Sequence, residues 1–243
     1  MTPTPVGMRC PECSRQRTKV KTAAAIRHGD DPMATYVIMG VCVALGLAAM
    51  LSPGNWLAGG DDKLTFDFGL YGPFVADGDI YRVVTAGFLH AGPFHLAVNM
   101  YSLYILGSLL EPAIGRARFL LIYFVGLLAG SFGALLVAPN QLVVGASTAI
   151  FGLMGAAVVV MRNRGIDPMA SGLPLWIGIN LVLTFTFSRL SKGGHVGGLI
   201  GGVLAALVLF ELPDRVRGFP QSAAMVLASG LGVAAVAGAL ALA

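Results

Sequence analysis

Gly145-Ala146-Ser147-Thr148-Ala149 opens a run that stays apolar from Ala149 to Met161. That run has the composition of a helix crossing a bilayer, and a serine at its head is out of place as packing material. Ionisable and polar groups at membrane depth are expensive and mark function by default. A histidine holds the matching place at the head of another apolar stretch, His195 in Gly193-Gly194-His195-Val196-Gly197-Gly198. A hydroxyl and an imidazole at two such positions supply a nucleophile and a base. If the two meet, the chain cuts bonds at the level of the membrane.

The rest of the chain sets that pair in context. Of 243 residues, 56% are hydrophobic and 12% charged, with a mean hydropathy of +0.78. A soluble domain carries roughly 25% charged residues. The fold class is therefore an all-α polytopic membrane protein. Seven spans are expected, near 34–51, 95–110, 119–138, 147–161, 169–187, 195–212 and 219–243. The fourth is the shortest, which predicts that it starts below the membrane surface. With the N-terminus inside, 12 of the 16 Lys and Arg residues fall on the cytoplasmic side, and only Lys63, Arg82, Arg189 and Lys192 lie outside. This asymmetry follows the positive-inside rule and predicts an N-in, C-out chain. It also accounts for the net charge of +4 without nucleic acid. Residues 1–33 read as a polar, basic cytoplasmic tail with no signal-peptide h-region before Ala34.

Cysteine usage adds little chemistry. Cys42 falls in the first span and reads as packing. Cys10-Pro11-Glu12-Cys13 is a lone CxxC, whereas structural zinc takes four ligands and His28 is the only other donor nearby. No metal and no cofactor is assigned; a basic tail touching anionic headgroups explains the segment. The outer loop, 52–94, carries Phe66, Phe68, Tyr71, Phe74, Tyr81 and Phe88 among scattered charges, and this aromatic content suits the interface. Small residues recur at helix-contact spacing in three spans: Gly126 and Gly130, then Gly152, Gly155 and Ala156, then Gly194, Gly198 and Gly202 with Gly197 and Gly201 beside them. Such rows let backbones approach closely in lipid, as short side chains like Ser and His require if they are to touch.

Four polar residues open apolar spans. His95 and Asn99 begin the second, four apart and so one turn apart on one face. Ser147 begins the fourth and His195 the sixth. Under the charge-derived topology all three helices run from outside to inside, so the four residues share a depth. Each alone is explained by packing or capping; the four at one depth are not. Neutral imidazole suits the base near pH 7. His95, Asn99 and the Ser147 N–H are donors for the oxyanion that amide attack creates, and Gly145 permits a tight backbone turn into the helix. None of the twelve acidic residues lies within a span on the outer side. A Ser–His dyad is therefore expected rather than a triad, with Phe151, one turn after Ser147, stacked on the His195 ring.

These residues resemble the rhomboid family of intramembrane serine proteases. The resemblance runs through Tyr81-Arg82, Phe88-Leu89-His90, His95-Leu96-Ala97-Val98-Asn99-Met100, Gly107, Glu111, Gly115, Gly145-Ala146-Ser147, His195, Gly198 and Gly202, covering about 34–212. It implies a six-helix catalytic core with a seventh transmembrane helix appended after a turn, in 213–243. It also implies Ser147 as nucleophile, His195 as base, and His95 and Asn99 in the oxyanion hole. Arg82 would anchor the first loop, with His90 also structural. The segment 188–194 would cap the site, and the fifth span would form a lateral gate. Substrates would be transmembrane proteins met within the lipid bilayer, in a prokaryotic plasma membrane; oligomeric state is left open. Two departures stand out. Tyr81 replaces a Trp, and Thr148 replaces the glycine that usually follows the nucleophile, with an expected effect on the backbone beside the oxyanion hole. The alternative function is a non-proteolytic membrane chaperone or adaptor that binds transmembrane helices. A small-solute transporter is disfavoured by the lack of ionisable residues along a through-path.

Overall fold

The computed structural model describes residues 31–59, 61–187 and 190–242, with the backbone of 2–4 and 7–9. Among these residues, seven helices of 14 residues or more form one bundle: α1 (Met33–Leu51), α2 (Pro93–Ile114), α3 (Arg116–Val137), α4 (Ser147–Asn163), α5 (Leu173–Thr186), α6 (Lys192–Ala206) and α7 (Gln221–Leu242). α1, α3, α7 and the run Lys192–Arg215 are long and apolar enough to cross a membrane, while α4 and α5 are shorter apolar helices. Thr2–Thr4 and Gly7–Arg9 pair as two antiparallel strands. Cys10, Cys13 and His28 lie outside the described residues, as do Ser188 and Arg189 of the expected cap.

Two span expectations need correction. The shortest of the seven is α5, not α4, with 14 residues against 17. Its start is delayed to Leu173 because Met169–Ser171 forms a 3-10 turn and Gly172 takes a left-handed φ of 74°, with Pro174 next to it in the first helical turn. The sixth span does not end at 212. Beyond α6 the chain widens into a π-helical turn, Leu207–Glu211, and continues helically through Leu212–Arg215. Gln221 Nε2 donates to the Leu209 carbonyl at 3.1 Å, which ties this turn to the start of α7.

α6 is wedged between α3 and α4, and its glycines explain how. A Cβ at Gly193 or Gly197 would run into the carbonyls of Gly133 and Ala129 on α3. A Cβ at Gly198 or Gly202 would run into the carbonyls of Thr148 and Gly152 on α4. Two adjacent glycine rows thus serve two neighbours, and backbone meets backbone on both sides. α3 and α4 meet the same way, since a Cβ on Gly126 would lie 3.0 Å from the Gly152 Cα. The buried core follows these seams, with Leu103, Leu106, Phe119, Ile122, Tyr123, Leu127, Leu153 and Met154 at 1% exposure or less.

At one end of the bundle, Glu111 on α2 caps α1. The first N–H groups of a helix have no partner within it, and Pro32 offers no side-chain cap. The buried Glu111 carboxylate accepts from the Ala34 and Thr35 N–H groups and the Thr35 hydroxyl, each at 2.8 Å, with Arg116 Nε at 3.4 Å. A carboxylate at a helix N-terminus also meets the favourable end of the macrodipole.

At the other end, the long loop before α2 is folded rather than draped. It contains the short helices Lys63–Phe68, Gly72–Ala76 and Arg82–Thr85. Arg82, 4% exposed, holds them together. Its guanidinium donates to the carbonyls of Phe66 at 2.8 Å and Gly69 at 2.9 Å and to Asp79 at 2.9 Å, and it lies 4.6 Å from the Phe74 ring centroid. Leu70, Val75, Val83 and Ala86 then pack on Ala134 and Leu135 of α3 and Ala239 of α7. Leu70 and Val143 exchange backbone hydrogen bonds at 2.9 Å, Ser131 Oγ donates to the Val83 carbonyl, and Gly145 N–H donates to the Ala86 carbonyl. The loop therefore fixes the segment that leads into Ser147.

Candidate active site

Ser147 is the first residue of α4, and His195 lies in the first turn of α6. The chain turns into α4 through Gly145, whose φ of 128° is a conformation glycine adopts without penalty. α6 starts at a serine cap, Ser191 Oγ accepting from the Gly194 N–H at 3.1 Å. These two starts, drawn together by the Gly198 approach to the Thr148 carbonyl, bring His195 Nε2 to 2.8 Å from Ser147 Oγ. The Phe151 ring lies parallel to the imidazole, with centroids 4.4 Å apart and planes 16° apart. Both rings are buried.

His95 and Asn99 stand on the facing side. His95 Nδ1 accepts from the Ala91 N–H at 3.2 Å. In a neutral ring this leaves the proton on Nε2. A Cβ on Gly145 would lie 2.7 Å from His95 Cε1, 2.9 Å from that Nε2 and 3.5 Å from Ser147 Oγ, so the His95 ring packs on the bare Gly145 backbone, close to Ser147. Asn99 Nδ2 spends one hydrogen on the His95 carbonyl at 2.9 Å and retains a second. His90 packs edge-on against His95 at 5.2 Å, and its carbonyl accepts from Trp56 Nε1 at 2.5 Å. Trp56 is buried in the loop and escaped sequence reading, where it sat in a short glycine-flanked stretch with no periodic pattern.

Thr148 does not disturb this space. Its side chain, 5% exposed, points into a notch between α3 and α6, where a Cβ on Gly130 would strike its own Cβ and one on Gly194 would approach its Cγ2 to 3.2 Å. Two glycines across the seam make the room that a β-branched residue needs, so its bulk faces away from Ser147.

Ser147, His195, His95 and Asn99 open onto one cavity of about 380 Å³ between α2 and α5. His95, Asn99, Ser102, Ser147, Asn180, Thr184 and His195 form its polar lining, and apolar side chains such as Val98, Met154 and Leu183 line the remainder. Phe94 and Phe187, both exposed, flank it. Sequence reasoning missed Thr184. Its hydroxyl lies 2.6 Å from His195 Nδ1 and donates to the Asn180 carbonyl at 2.7 Å. The signal was present: Asn180 and Thr184 repeat, within the fifth span, the spacing of four that singled out His95 and Asn99.

The arrangement can deprotonate a hydroxyl, direct it at a carbonyl and hold the resulting negative oxygen. Comparison with known proteins points the same way. Residues 77–212 match the Rhomboid domain. The chain is 32% identical over 199 residues to "Rhomboid protease GluP" of Bacillus subtilis, a match covering 80% of this chain and 38% of that one. It is 34% identical over 145 residues to "Putative rhomboid protease YdcA" of the same organism, covering 58% and 73%. It is also 32% identical over 189 residues to "Rhomboid-like protease 2" of Toxoplasma gondii, covering 74% and 65%. The chain thus spans well under half of the first of these relatives and about two thirds to three quarters of the others. More than half of its own length fits the domain, and that part contains every residue of the cluster around Ser147: this multi-pass membrane protein belongs to the rhomboid family.

Proposed function

We propose that this chain is an intramembrane serine endopeptidase that cleaves transmembrane protein substrates with a Ser147–His195 dyad. The observation that carries the reading is the 2.8 Å contact between Ser147 Oγ and His195 Nε2 at the wall of a cavity between two helices. The Ser147 proton passes to Nε2 as Oγ bonds to the scissile carbonyl carbon. The negative oxygen forms beside Ser147, where His95 Nε2–H, the second Asn99 amide hydrogen and the Ser147 N–H are the donors. The protonated His195 then gives its proton to the leaving amine as the C–N bond breaks. Water repeats the sequence on the acyl-enzyme and restores Ser147.

In this reading all seven long helices cross the bilayer, N-in and C-out, with six forming the core and α7 added. The distribution of Lys and Arg supports that orientation, with the cavity toward the outer face. A substrate helix reaches it sideways, between α2 and α5. The compact bundle and its inner-side tail fit a prokaryotic plasma membrane. Ser147→Ala and His195→Ala are each expected to reduce cleavage of a model transmembrane substrate in proteoliposomes by at least about a thousandfold, with unfolding midpoints near wild type. Retained cleavage in either variant sinks the dyad; a folded protein that binds the substrate helix yet never cuts it supports a chaperone or adaptor.

A further inference from the structure

The dyad does have a third member, and it is not an acid. Building on the Ser147–His195 reading, we infer that Thr184 on α5 is the positioning residue that fixes the tautomer and orientation of His195. The hydrogen bonds have a direction. Thr184 Oγ1 donates its only hydrogen to the Asn180 carbonyl, one turn back on α5, at 2.7 Å. Toward His195 Nδ1, 2.6 Å away, it is therefore an acceptor, and Nδ1 carries the ring proton. Nε2 is left with its lone pair facing Ser147 Oγ. That is the tautomer a general base needs, and the opposite one would present a hydrogen to the nucleophile. When Nε2 takes the Ser147 proton, Nδ1–H stays bonded to Thr184, so the ring keeps its place until the proton moves on to the leaving amine.

Burial makes this contact specific. α5 is the most lightly packed of the seven long helices, and Leu173 and Thr184 are its only buried residues. Leu175, Ile179, Val182 and Phe185 each expose half or more of their surface. A threonine with no exposed surface on a helix that otherwise faces outward is held by the site. Carboxylates orient the base in soluble triads. Here a neutral hydroxyl does so without burying a second charge at membrane depth. Because Thr184 belongs to α5, His195 is fully oriented only while that helix is docked.

The test is Thr184→Val, which keeps the shape and removes the acceptor, beside Thr184→Ser, which restores it. Loss of one such hydrogen bond is expected to lower kcat on a transmembrane substrate by about tenfold, with KM and the unfolding midpoint unchanged. The serine variant should return to within about twofold of wild type. In protein carrying 15N-labelled histidine, His195 should show a single Nδ1–H tautomer in wild type and a mixture in Thr184→Val. Wild-type kcat in Thr184→Val, or equal losses in the serine and valine variants, overturns the assignment. Those results leave the dyad standing as long as Ser147→Ala and His195→Ala remain inactive, so the two claims fail separately.

Discussion

At the scale of single residues, what decides the site is where each polar group finds its partner. His90 illustrates this. It lies in the loop ahead of α2, 2% exposed, and burial, reinforced by the adjacent His95 ring, pushes its pKa down to about 3 from the ordinary 6.5. The folded protein therefore holds His90 neutral over a range where the unfolded chain takes up a proton. Stability from this residue is full above about pH 6.5, and it is lost progressively as the pH falls toward 3. The unfolding midpoint in detergent should drop between pH 7.5 and 5, and the drop should shrink in His90→Leu. Identical pH profiles for the two proteins would show that His90 is not held neutral. Ser147, His195, His95 and Asn99 were legible in the sequence because polar residues at the heads of apolar runs stand out. Thr184 was passed over because it lies inside an apolar run rather than at its head, where a threonine bonded one turn back is unremarkable, although its spacing of four from Asn180 was there to read. Thr148 was legible as a departure, but the direction of its side chain depends on Gly130 and Gly194, which are remote in the chain.

At the scale of elements, hydrophobic runs overlapped each of the seven long helices, with the start of α5 and the end of α6 the least well placed. The glycine rows were visible too, but not that each row of α6 serves a different neighbour, since spacing alone does not say which helix lies opposite. The folding of the 52–92 loop was the least legible part. Its order comes from Arg82 reaching carbonyls 13 and 16 residues back and from the bridge between Leu70 and Val143, contacts with no local pattern. α5 is the element to test. Val98 on α2 and Leu183 on α5 line the cavity from its two sides. With cysteines at these positions, in a background without the native cysteines, a short bismaleimide should link the helices. Cleavage of a transmembrane substrate should then fall by at least about tenfold, while a small serine-directed probe still labels the protein. Unchanged cleavage in the linked protein would show that substrate does not pass between α2 and α5.

At the scale of the whole molecule, a tightly joined half and a loosely held helix divide the work. α3, α4 and α6 meet through backbone contacts that position Ser147 and His195, and α5 closes over them with few buried groups of its own. A tightly packed support beside a lightly packed helix suits the proposed site, which has to admit another helix. The all-helical architecture was legible from composition, because a chain this apolar has few ways to satisfy its backbone in a bilayer. The meeting of α4 with α6 was expected from matched depth, from the glycine rows and from the family resemblance. An activated Ser147 is open to labelling by a fluorophosphonate in native membranes, a readout that needs no known substrate. Wild-type protein is expected to label covalently at Ser147, with labelling lost in Ser147→Ala and reduced by at least about a hundredfold in His195→Ala. A wild-type protein that resists the probe, or a Ser147→Ala variant that labels equally well, would contradict activation of Ser147.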